Sequence, residues 1–136
     1  MGTRMVGEST VQGRFVDVAD ARTLANLRAA LAASAIHFGL DDIDAATIRL
    51  KAPRAFTQTV SRFVYEQRDE QGSFAGIHYG SRLGDPFVNW AIFEPAPDAP
   101  SPFLSTSSAP VEADDPDLHA ALDVLGLVLV GSLRGV

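Results

Sequence analysis

The stretch Phe74-Ala75-Gly76-Ile77-His78-Tyr79-Gly80-Ser81-Arg82, followed by Asn89-Trp90-Ala91-Ile92-Phe93-Glu94, decides how the chain is read. Both runs are rich in aromatic and aliphatic residues, the composition of strands. Between them, Gly80 to Pro86 supplies turn-forming residues, so residues 74–79 and 87–93 are expected to pair antiparallel across a loop. The two strands then frame Ser81. Tyr79 lies two residues before Ser81, and side chains two apart on a strand share a face. Trp90 and Phe93 are expected to pack into the core, and Glu94 to end the strand exposed to solvent.

Working back towards the N-terminus, residues 68–73 are polar and turn-forming. Ahead of them Phe56, Val60, Phe63 and Val64 recur at i, i+4, i+7 and i+8, which predicts a helix from just after Pro53 to about Gln67. Asp44 is placed to cap a brief helix through Ala45, Ala46 and Ile48, which Pro53 must stop. A longer helix over 21–37 follows from an apolar stripe of Leu24, Leu27, Leu31, Ala35 and Ile36, with Asp20 as its cap and Gly39 to end it. Residues 14–18 alternate as a short strand. Towards the C-terminus, residues 95–110 hold five prolines and four serines and read as an irregular surface loop. Asp115 then caps a helix with Pro116 at its first position and Leu118, Ala121, Leu122 and Leu125 as its stripe. The apolar run 125–130 is read as an added strand. The fold class is α+β: a small mixed sheet with flanking helices, in a single unit over 1–136.

Composition narrows the chemistry. At 136 residues, 46% hydrophobic and 21% charged, the chain can bury one core. A net charge of −6 disfavours broad attachment to nucleic acid or an anionic membrane. No stretch is apolar enough for a signal peptide or a membrane span. With no cysteine, neither disulfides nor thiolate chemistry enter, and a cytoplasmic location is expected. His37, His78 and His119 match no zinc spacing, so no metal is expected. His78 comes without the motif of a serine hydrolase. Arg49, Lys51, Arg54, Arg62 and Arg68 make the middle of the chain basic, and Glu112, Asp114, Asp115 and Asp117 form an acidic block. Both read as solvated faces, with a local basic pocket left open.

The segment from Gly76 to Arg82, with the aliphatic-Phe-Glu ending at Ile92-Phe93-Glu94, resembles the late signature of the RES-domain family, a Gly-Ile-x-Tyr-x-Ser-Arg strand and loop. Pro53-Arg54-Ala55-Phe56-Thr57-Gln58, Ser61-Arg62-Phe63-Val64-Tyr65-Glu66 and the strand Val16-Asp17-Val18 with Leu24 and Leu27 resemble its middle portion. The resemblance covers about residues 14–94. It implies a fold related to ADP-ribosyltransferases, NAD as substrate with no separate cofactor, and the toxin role in a toxin–antitoxin pair. The family is named for an Arg, a Glu and a Ser. Of these the serine is carried over, to Ser81, as the catalytic candidate, with Tyr79 and Arg82 as its nucleotide-binding neighbours. The Arg and Glu belong to family segments ahead of the middle portion, so the chain reads as the C-terminal part of such a domain. Two readings follow: an enzyme that degrades NAD or transfers ADP-ribose, or a truncated, inactive remnant of the fold that binds protein. An antitoxin and a second copy of the chain are the partners expected, because a truncated sheet leaves apolar surface uncovered.

Overall fold

The computed structural model describes residues 4–130. In chain order its elements are β1 (Met5–Val11), β2 (Phe15–Asp17), α1 (Ala21–His37), a π turn (Thr47–Lys51), α2 (Arg54–Glu66), β3 (Arg68–Asp69), β4 (Gly72–Ser73), β5 (Gly76–Gly80), β6 (Val88–Ile92), β7 (Phe103–Pro110) and α3 (Pro116–Leu125). The α+β class is as expected. The chain divides into two units, Val11–Leu104 and the terminal segments on either side of it.

The central unit is built on a three-stranded sheet in the order β2-β5-β6. β5 pairs parallel with β2 and antiparallel with β6, the latter as the hairpin spacing predicts. A parallel pair needs a long crossover. Here α1, the π turn and α2 provide it and cover one face of the sheet. α1 starts where Asp20 accepts hydrogen bonds from the backbone N–H groups of Arg22 and Thr23, and it stops at Gly39, whose φ of 73° suits glycine. Leu24, Leu27, Leu31 and Ala35 of α1 meet Phe56, Val60 and Val64 of α2, together with Val18, Ile43 and Ile77, in one buried cluster. Phe56 is fully buried at its centre. Each fully buried Val, Leu, Ile or Phe side chain contributes about 1.5–3 kcal/mol on leaving water.

Two residues assigned to the core lie outside it. Ile36 is 75% exposed; it follows Ala35 directly and so is rotated about a quarter-turn of helix away from the buried stripe. Trp90 is 53% exposed. Alternation along β6 gives Ala91, with Phe93 just beyond the strand, to the helical side, and leaves Trp90 on the other. There its ring meets Phe15 edge-on at 4.9 Å and lies tilted over His78 at 4.9 Å. Phe93 does pack against the core, and Glu94 is exposed, as expected.

Residues 103–110, expected as part of an irregular loop and lying mostly in the terminal unit, form β7 and pair with β1, a strand the sequence does not predict. Ser9 and Thr106 hydroxyls meet across the ribbon at 3.2 Å. α3 begins as predicted, with Asp115 accepting from Asp117 and Leu118 N–H and Pro116 in the first turn. Residues 127–130, expected as part of an added strand, form no regular element. Gly126, at φ 63°, ends the helix, and the Leu127 N–H returns to Leu122 O at 2.9 Å, a closure that turns the chain out of regular structure. None of the described residues of this unit is buried.

Candidate functional site

The C-terminal end of β5 is where the sequence-predicted residues converge. The strand closes at Gly80, and the next residue, Ser81, is the only buried polar residue among those described, 7% exposed. Its backbone N–H donates to Phe87 O at 2.8 Å, which closes the hairpin. Its hydroxyl oxygen accepts from the Leu83 N–H at 3.1 Å. A hydroxyl carries one donor proton and can accept more than once. The Leu83 bond uses one acceptor position, so the Ser81 O–H proton has no assigned partner and can be given to a ligand oxygen.

A cavity of about 340 Å³ opens beside it. Tyr79, Gly80, Ser81, Arg82 and Leu83 line it from the hairpin, Asn89 from β6, and Ile48 and Arg49 from the π turn. Tyr79, Ser81 and Arg82 therefore line the same cavity, with Tyr79 half-buried against the core, Ser81 buried and Arg82 exposed. An adjoining recess of about 250 Å³ shares Ile48, Arg49, Tyr79 and Gly80 and continues towards Val18 and Ala45. His78 points to the opposite face of the sheet, against Trp90, and takes no part.

Arg49 and Asn89 are site residues that sequence reasoning missed. In the sequence Arg49 reads as part of a solvated basic face, with a local basic pocket as the alternative. It is only partly exposed, and its guanidinium runs over Gly80, with Cζ 3.8 Å from where a Cβ would stand. The reason is local. Asp44 accepts from the Thr47 N–H at 2.6 Å and starts the turn, and the backbone hydrogen bond from Thr47 holds the Asp44 carboxyl below the usual carboxylate range. The chain then widens into a π turn before Pro53, and π turns shift side chains off the ordinary helical spacing. One guanidinium N–H, on Nη1, donates to Asp85 Oδ1 at 2.6 Å. Nε is buried and, alone among the buried side-chain nitrogens and oxygens described, has no partner. A buried, unpaired donor is costly and calls for an explanation.

No family model, no curated protein and no solved structure matches the chain. The site's chemistry rests on its own geometry. Two arginines, a serine, a tyrosine and an asparagine line one small recess, a donor set suited to an oxyanion carried on a flat aromatic group. Among the described residues no group of three or more His, Asp or Glu is arranged to hold a metal ion. No described helix is long and apolar enough to cross a membrane.

Proposed function

We propose that this chain is a RES-like domain, related in fold to ADP-ribosyltransferases, that acts on NAD in the cytoplasm as the toxin of a toxin–antitoxin pair. The observation that carries the reading is the gathering of Tyr79, Ser81 and Arg82 around one cavity, with Arg49 and Asn89 completing its donors. Cleavage at the nicotinamide bond leaves an oxocarbenium-like ribose, and the dinucleotide must be held by its pyrophosphate while that charge develops. Arg49 and Arg82 supply cations for the pyrophosphate. The Ser81 hydroxyl donates to a ribose or phosphate oxygen, and the Tyr79 ring offers a face for nicotinamide or adenine. Degradation and transfer of ADP-ribose share this first step and differ in what captures the ribose.

A second reading is a non-enzymatic, protein-binding remnant of the same fold. In its favour are the exposed aliphatic side chains Val124, Leu127, Val128 and Val130 in a terminal unit with no buried residue among those described. Such surface suits an antitoxin or a second copy of the chain. The deciding experiment is the loss of NAD on incubation with purified protein, with and without phosphate, in wild type and Ser81→Ala. The proposal expects NAD loss that falls at least tenfold in the variant. Folded wild-type protein that leaves NAD intact would overturn it in favour of the binding reading.

A further inference from the structure

We infer that Arg49 is the phosphate-binding cation of the Ser81 cavity, and that Asp85 is an internal carboxylate that occupies it until a ligand phosphate takes its place. The inference rests on the reading that this cavity receives a pyrophosphate-bearing nucleotide, and it adds how the site is kept and opened. A guanidinium presents its donors as a planar fork and binds oxyanions best through two parallel bonds. Arg49 uses its fork poorly: Nη1 meets a single Asp85 oxygen, while Nε is enclosed without a partner. The Asp85 side chain is 92% exposed, against 28% for that of Arg49. Asp85 therefore keeps most of its hydration and gives up little on release, and exposed pairs of this kind are weak.

A phosphate entering the cavity differs from Asp85 in what it can reach. Its oxygens point in several directions, so one group can accept from the terminal N–H groups of Arg49 and from the Ser81 hydroxyl or the Asn89 amide, residues that line the same recess. A planar carboxylate tethered to the hairpin loop makes only the one bond seen. Arg82 at the rim adds a second positive charge. Asp85 also balances that charge when the cavity is empty, and its own charge opposes an arriving phosphate. Removing it should strengthen binding.

The test is equilibrium binding of inorganic pyrophosphate and of ADP-ribose, at low ionic strength, to wild type, Asp85→Asn, Arg49→Met, Arg49→Lys and the Asp85→Asn/Arg49→Met double variant. Asp85→Asn is expected to bind both probes about three- to fivefold more tightly, the worth of a weak exposed pair. Arg49→Met is expected to lose tenfold or more, since a hydrogen bond to a charged group is removed. Arg49→Lys, which keeps the charge without the fork, should fall between. The double variant should gain over Arg49→Met only the small part that comes from Asp85 repelling the phosphate, well short of the gain that Asp85→Asn gives in wild type. Should Arg49→Met fail to fold by circular dichroism, Asp85→Asn and Arg49→Lys decide the matter. Pyrophosphate binding that is absent, indifferent to Arg49, or no tighter in Asp85→Asn overturns the inference. NAD loss that depends on Ser81 alongside such a result would leave the NAD reading standing. Tighter pyrophosphate binding in Asp85→Asn with no NAD loss in any protein would instead support the inference and remove NAD as the substrate.

Discussion

The two ends of β5 carry one arginine each, and the two are held in opposite ways. At the N-terminal end, Arg14 is paired through both terminal nitrogens: Nη1 donates to Asp69 Oδ1 at 2.7 Å, Nη2 to Asp69 Oδ2, and the guanidinium lies 4.6 Å over the Phe74 ring. Asp69 in turn accepts from the Gln71 N–H at 2.8 Å and fixes the β3–β4 turn. A cavity of about 470 Å³ opens at this end among Tyr65, Phe74, Phe93 and the prolines that follow. At the C-terminal end the cavity is smaller, yet its arginine has one weak partner and one donor with none. Cavity size and readiness for a ligand therefore part company. A satisfied cation is a fastener, while an incompletely paired one in a cavity lined by a buried serine has donors left for the ligand proposed above.

The largest expected effect erases the comparison by removing what both ends stand on. Phe56 is fully buried between α1 and the sheet. Phe56→Ala should cost about 3–5 kcal/mol, measured by urea denaturation. Backbone amides at both ends of β5 should lose exchange protection together. Protection kept at one end alone would mean that the two ends do not share this core.

The next pair of variants separates the ends on a single strand. A Cβ at Gly76 would stand 2.2 Å from the Ala91 carbonyl oxygen and 3.0 Å from the Phe15 ring. Gly76→Ala should therefore lose about 1–3 kcal/mol through overpacking against backbone that cannot move freely. At Gly80 the nearest atoms belong to Arg49 at 3.8 Å, an ordinary contact. Gly80→Ala should be neutral or slightly stabilising, because glycine weakens a strand. Equal losses in the two variants would contradict the open space assigned to the Ser81 end.

How much of this was legible beforehand follows the same division. Regular periodicity exposed α1 and α2, and turn residues between apolar runs exposed the β5–β6 hairpin, because each signal lies within a few turns of sequence. Tyr79, Ser81 and Arg82 were picked out through the motif resemblance at residues 76–82, and they line one cavity because the hairpin keeps these chain neighbours together. Arg49 was not picked out, since a π turn obeys no helical spacing and its partner Asp85 lies 36 residues away. Trp90 shows the limit of alternation: a period of two separates the faces of a strand without saying which one meets the helices. β1 and β7 were hidden for another reason. Their partners lie about a hundred residues apart, as Ser9 and Thr106 show, and Ser105-Thr106-Ser107-Ser108 offers no apolar alternation to mark a strand.

The smallest effect is also the sharpest test of fastener against site. Arg14→Gln should lower Tm, since it leaves Asp69 without its partner, whereas Arg49→Gln should leave Tm unchanged, because the weak Asp85 pair it loses is offset by the unpaired Nε it removes. The pH dependence distinguishes the two further. The Arg14 side chain, bonded to Asp69, holds that carboxyl below the usual carboxylate range, with the Gln71 N–H adding to the effect, and Asp69 in turn raises Arg14. A carboxyl whose folded pKa is depressed binds its proton more readily in the unfolded chain. Its stabilisation is therefore complete above the unfolded value of about 3.9 and disappears as pH falls through the lower, folded one. Both groups are solvent-exposed, so the amplitude is modest and salt reduces it. The Tm difference between wild type and Arg14→Gln should hold constant from neutral pH down to about pH 5 and shrink below about pH 4. A difference unchanged at pH 3 would show that Arg14 stabilises the turn through its contact with Phe74 alone, and the N-terminal end of β5 would then be held by packing and not by the ion pair.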